Sequence, residues 1–333
     1  MYCFTCCNEL PEGANFCPKC GTPVAQNIEN GIKLTDTPVF IKKGTSGSIG
    51  TEGEYVLFGD WPQTIKDKNV SIDESKFYNF NGQICFKGSD EAFYVKQNCC
   101  PHDFWDEDEI CPSTFSNGEE LIDGNDYYFK IEPIKWRVLS KNYQSGIFLL
   151  AENVLINASS YFLGDSNDNR VINNKTVSAN NYEFSNIRAY LNGLNGKSYE
   201  AGNYSNTGFL NSAFSFTAQK IINNTFLENC NNISDKVFII SKNDITNDSF
   251  GFSSDTGKLA ARQRQYTDFA KGCGVFAEPN KGYEKYTYWW LRDRVENKID
   301  CNFYVNTLGD IKEYEHVIVS LVGIVPAIVI SEK

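Results

Sequence analysis

The chain is 333 residues long, 41% apolar and 14% aromatic, enough to bury a sizeable core, which excludes a largely disordered protein. Lys and Arg number 31 against 42 Asp and Glu, a net charge of −11. That balance argues against nucleic acid or an anionic membrane as partner, because phosphate contacts need clustered cations. At about 150 residues per domain, the length sets an expectation of about two domains.

Cys3-x2-Cys6, ten residues and then Cys17-x2-Cys20 open the chain. Each Cys-x-x-Cys turn brings two sulfurs to one side of a knuckle, and two facing knuckles supply four thiolates to a tetrahedral Zn2+. The competing readings are a redox dithiol and a disulfide pair. About twenty residues cannot fold on an apolar core of their own, so the metal would supply most of the folding free energy. The segment resembles the zinc-ribbon modules that open many bacterial proteins. Cys7 stands where that pattern has its first glycine, and spacing favours Cys6 over Cys7 as ligand. Lys19 against Glu9 and Glu12 makes the module locally acidic, so structure or protein docking is expected of it rather than phosphate contact.

Residues 1–22 are therefore read as a zinc ribbon and 23–53, rich in Thr, Gly and Ser, as a flexible linker. No basic n-region or apolar h-region follows Met1, and cysteines without a secretory signal fit a reducing compartment, so a cytoplasmic location is expected. The longest apolar run, Leu321 to Ile330, falls short of the roughly 20 residues that span a bilayer.

From Tyr55 the chain turns aromatic. Strands are predicted at Tyr55–Phe58, Ile134–Leu139, Ile147–Leu150, Lys236–Ser241, Val317–Ser320 and Pro326–Ile330. Ser185 is a plausible N-cap for a helix over Asn186–Asn192, where Ile187, Tyr190 and Leu191 share one face. A second helix is predicted from Thr217 to Ile222. Short strands, few helices and long polar loops predict an α+β domain over 54–331.

Cys99, Cys100, His102 and Cys111 form a second metal candidate within an acidic stretch, weighed against a plain solvated loop. In Tyr288-Trp289-Trp290-Leu291-Arg292, strand alternation would bury Trp289 with Leu291 and turn Trp290 and Arg292 to the other side. Trp290 and Arg292 are the candidate ligand-binding residues there, able to stack on a ring and pair with a carboxylate. The competing reading places Trp290 under a loop and pairs Arg292 with a buried acid.

Phe58-Gly59-Asp60-Trp61-Pro62-Gln63, Glu132-Pro133-Ile134-Lys135-Trp136-Arg137-Val138-Leu139, Ser185–Asn192, Trp289–Arg292 and Gly323–Ala327 occur in the order in which this domain resembles the bacterial domain of unknown function 6273. The resemblance covers about residues 54–331. It implies an irregular C-type-lectin-like fold, similar to the domains that host formylglycine-generating enzymes. Those enzymes carry a close cysteine pair for copper near the C-terminus, whereas Cys273 and Cys301 lie far apart in this sequence. Neither histidine sits in a nucleophile motif, and no phosphate loop occurs. The expected function is a non-catalytic module that binds a protein or small ligand, with Zn2+ as the cofactor. The alternatives are a metalloenzyme using Cys273 or Cys301, and a regulatory protein whose ribbon contacts nucleic acid.

Overall fold

The computed structural model describes residues 19, 32, 34–41, 54–101, 105–106, 109–110, 113–157, 161, 169–228, 230, 233–276, 285–319 and 321–331. The four zinc-ribbon cysteines, His102, Cys111 and most of the linker lie outside them.

The first strands are β1 (Val39–Ile41), β2 (Tyr55–Ile65), β3 (Ile72–Phe80), β4 (Gln83–Gly88), β5 (Phe93–Asn98) and the two-residue β6 (Trp105–Asp106) and β7 (Glu109–Ile110). Next come β8 (Asp126–Tyr143), β9 (Gly146–Ala151), and the small hairpin β10 (Arg170–Ile172) and β11 (Lys175–Val177). The helices are α1 (Asn186–Asn192), α2 (Phe209–Ala213) and α3 (Phe216–Gln219), then α4 (Lys242–Ile245) and α5 (Asp268–Gly272). Between α3 and α4 run β12 (Thr225–Phe226), β13 (Ser234–Asp235) and β14 (Val237–Phe238); β15 (Trp289–Arg294), β16 (Cys301–Val305), β17 (Ile311–Glu315) and β18 (Ala327–Ser331) follow α5. The domain is α+β, dominated by antiparallel sheet.

One nine-stranded sheet runs β14-β18-β9-β8-β5-β4-β3, with β2 on β8 and β1 on β2. The eighteen residues of β8 form its spine, with ladders to β2, β5 and β9. Pro62 and Pro133 are tolerated because the β2–β8 ladder shifts register next to each of them. Gly59 adopts φ +69°, and a Cβ there would lie 2.4 Å from the Phe214 ring, so both backbone and space require glycine in Phe58-Gly59. Trp136 Nε1 donates to the Phe58 carbonyl at 2.7 Å and Trp61 Nε1 to that of Leu155 at 3.0 Å. The two buried indoles thus keep their polar edge satisfied.

Helix α1 starts as expected: the Ser185 hydroxyl accepts from Arg188 N, and Gly193 closes the helix in the left-handed region. Its motif residues then reach outward. The Arg188 guanidinium grips Asp235 with contacts of 2.8 Å, and the Asn192 amide exchanges bonds of 2.7 and 3.1 Å with the Val237 backbone, fixing β13 and β14 to the helix.

Three predicted elements are corrected. The helix expected over Thr217–Ile222 is Phe216–Gln219, because Ser215 caps it one residue earlier and its last turn closes at Lys220. The strand expected over Lys236–Ser241 is confined to Val237–Phe238, because Ser241 leaves the ladder to cap α4. Val317–Val319 form a turn rather than a strand, their entry pinned by His316 N and Val317 N, which both donate to the Asp300 carbonyl. Among the described residues, no helix is long and apolar enough to cross a membrane.

Candidate functional site

Strand β15 runs along a polar cavity of about 510 Å3 whose walls include Asn180, Tyr182, Cys230, Arg292, Asp293 and Arg294. Arg292 is held from several directions: its backbone N donates to Ile240 O at 3.0 Å and its Nη1 to Ile239 O at 2.7 Å, while Nη2 lies 3.6 Å from Asp244. Asp244 is itself fixed by a capping box with Ser241 at the start of α4. Next along β15, the Asp293 carboxylate accepts from Lys242 N at 2.5 Å. The Tyr161 hydroxyl donates to Arg292 O at 3.2 Å.

Burial dominates the electrostatics. It raises the Asp293 carboxyl above its ordinary 3.8, with the Lys242 amide and Arg292 only partly offsetting it. It pushes the Cys230 thiol up to about 11 despite the nearby Arg292 charge, so this cysteine is a neutral thiol at neutral pH. Burial alone would lower the Arg292 guanidinium, but Asp244, Cys230 and Asp293 together hold it above its usual value. Tyr182 is 3% exposed and lines the cavity, yet among the described residues its buried hydroxyl has no hydrogen-bond partner. Such a group carries an unrecovered desolvation cost of about 1–3 kcal/mol.

The two residues expected to share a binding patch part company. Arg292 lines the cavity, with 5% of its surface exposed. Trp290 is fully buried, edge-on to Tyr161 with ring centroids 5.8 Å apart. The expectation that Trp290 offers an outward stacking surface is therefore corrected. Trp289, Trp290, Leu291 and Arg292 are all buried, because β15 lies within the core and is covered on both faces. Sequence reasoning missed Tyr182, Cys230 and Asp293. Only Asp293, adjacent to Arg292, carried a local hint.

The remaining described cysteines lie at several places in the fold. Cys100 N donates to the Gly272 carbonyl at 2.9 Å, which brings Cys99 and Cys100 beside Cys273. Burial raises Cys99 and Cys273 each to about 12, neighbouring thiols adding to the rise. Cys301 sits on β16, its thiol donating to Asp300 Oδ1 at 3.3 Å. Among the described residues, no group of three or more His, Cys, Asp or Glu side chains is arranged to hold a metal.

The fold and cavity define an α+β domain built on antiparallel sheet. Residues 144–332 match the model of a domain of unknown function, DUF6273, and the chain belongs to that family. The matched stretch begins at the β8–β9 turn, so it contains Arg292 and Tyr182 but neither the Phe58–Gln63 motif nor the Glu132–Leu139 motif. No curated protein and no solved structure matches the chain.

Proposed function

We propose that residues 54–331 form a non-catalytic, C-type-lectin-like binding module that takes a small polar ligand in the cavity beside β15. The observation that carries this reading is the lining of that cavity, where Arg292, Asp293 and Arg294 of one strand meet Asn180, Glu183 and Glu296. Arg292 and Arg294 on one strand, with Asp293, Glu183 and Glu296 around them, suit a ligand carrying both charges, such as an amino acid or short peptide. A thermal-shift screen of the full chain against the twenty amino acids and their dipeptides tests this. At least one compound is expected to raise the melting temperature, by mass action on the folded state. Arg294→Gln, at an exposed position of the cavity wall, is expected to leave the unliganded protein as stable as wild type and to weaken the ligand-induced shift. A uniformly silent screen, or an undiminished shift in Arg294→Gln, would remove the assignment.

In the same proposal Cys3, Cys6, Cys17 and Cys20 bind one Zn2+ in a ribbon that serves as a handle for a protein partner, in the cytoplasm and without nucleic acid. The ligand spacing and the local acidic balance support it. Elemental analysis is expected to give one zinc per chain, lost in Cys17→Ser/Cys20→Ser. Retention of the metal in that variant would place it elsewhere.

A further inference from the structure

A second cavity, of about 490 Å3, lies where β2, residues 114–116 and α5 meet, and its charge is opposite in sign to that of the chain. Among the described residues two lysines line it, Lys271 and Lys285, against one carboxylate, Asp268. That carboxylate is already committed to the fold. Its Oδ1 accepts from Ser116 N at 2.8 Å, and its Oδ2 accepts from Ile65 N at 3.1 Å and from Ser116 Oγ at 2.5 Å. Lys271 Nζ donates to Thr114 O at 2.6 Å and lies 5.5 Å from the Tyr266 ring centre, which leaves two of its three protons to offer. Lys285 is exposed. Among the described residues, Lys271 thus has one carboxylate neighbour in this cavity, Asp268, whose oxygens are engaged by other donors, and its remaining protons suit an anionic ligand.

The rest of the wall specifies what that anion carries. Gln63 closes the Trp61-Pro62-Gln63 motif. Its Nε2 is anchored to the carbonyls of Glu132 and Pro133 at 3.1 and 3.2 Å, which fixes its amide in one orientation at the cavity wall. The amides of Asn153 and Gln265 and the hydroxyls of Thr64 and Thr267 share the lining, with Tyr266 as a ring face. Amides and hydroxyls both donate and accept, the complement of a polyhydroxylated molecule, and a ring face suits the apolar side of a sugar. The volume falls within the range of about 300–1,000 Å3 typical of small-molecule sites.

We propose that this cavity binds a hydroxylated carboxylate of the sugar-acid class, its carboxylate on Lys271, with Lys285 adding charge at the rim, and its hydroxyls on the Gln63, Asn153 and Gln265 amides. Isothermal titration of the full chain at low ionic strength with D-glucuronate and with D-glucose tests it. Glucuronate is expected to bind saturably and glucose at least about tenfold more weakly, the value of a charge-assisted hydrogen bond. Lys271→Met is expected to lower glucuronate affinity about tenfold or more, and raising the salt concentration is expected to weaken it. Should Lys271→Met fail to fold, Lys285→Gln carries the test: its side chain is exposed, so its loss should lower affinity without touching the core. Lys76→Gln, an exposed lysine on β3, controls for the bare loss of a charge and is expected to change nothing. Absence of glucuronate binding, equal binding of glucose, or affinity unchanged in both cavity-lysine variants would overturn the proposal.

Discussion

Glu152→Gln is expected to destabilise the domain by about 3–5 kcal/mol, the cost of stripping a buried ion pair of one partner. Arg137 Nε and Nη2 donate to the two Glu152 oxygens at 3.0 Å each, with both side chains almost wholly buried. A second guanidinium stands close by. Arg264 is 1% exposed; burial first, and then the Arg137 charge, push it down to about 9. Its Nη1 donates to the carbonyls of Ala261 and Gln263, but among the described residues its Nε and Nη2 have no hydrogen-bond partner. One carboxylate thus serves two buried cations, and neutralising it leaves both exposed to each other's repulsion in a poorly screened interior. Arg264→Met should recover part of the loss in the Glu152→Gln background, because it removes the cation with the fewest bonds. The sign of the pH dependence follows from the lowered Arg264 value. Burial lowers this guanidinium in the folded state relative to the unfolded chain, so any contribution it makes to the pH dependence has stability rising with pH at the alkaline end. Urea titrations of the two single variants and the double variant measure all of this. A cost below about 1 kcal/mol for Glu152→Gln would show that the pair is worth no more than an exposed one.

Trp289→Ala and Trp290→Ala are each expected to cost about 3–5 kcal/mol, with neither showing the neutrality of a surface ring. Both indoles are fully buried. Trp289 Nε1 donates to Arg262 O at 3.1 Å and its ring lies beneath Arg264, whereas Trp290 packs edge-on against Tyr161. Removing either leaves a void that the rigid β15–β16 pairing cannot close. Thermal unfolding of the two variants in parallel checks the symmetry. A Trp290→Ala variant as stable as wild type would restore an outward-facing role for that ring.

The strongly apolar segments were legible in the sequence. Ile147–Leu150 and Ala327–Ile330 are central strands whose side chains are buried on both faces, so an unbroken apolar run identifies them. The α1 helix was legible through Ser185 and its apolar spacing. The polar strands were not. In β3, Asp73, Glu74, Ser75 and Lys76 are all exposed, and the strand is set by pairing to β4 on either side of them, at Ile72 and at Phe77–Phe80, with the register shifting across the four. The cavity beside β15 was half legible. Arg292 lines that cavity, but local alternation put Trp290 outside, and alternation carries no information when both faces of a strand are covered. Tyr182 and Cys230 reach the same cavity from distant parts of the chain, so no spacing rule could join them.

The place of β18 in the sheet bears on how the protein is made. Between β9 and β14, its five residues from Ala327 to Ser331 each pair with β9, whose own sequence, Gly146-Ile147-Phe148-Leu149-Leu150-Ala151, contains no polar side chain. On the ribosome, β8 can fold back on β9 through the tight Gln144–Ser145 turn almost as soon as both emerge. The other edge of β9 must then wait, sticky and unpaired, until nearly the whole domain has been translated. Such an edge is a template for pairing with neighbouring nascent chains. Newly made copies should accordingly lean on holding chaperones, and premature termination anywhere between β9 and β18 should yield insoluble product rather than a smaller folded one.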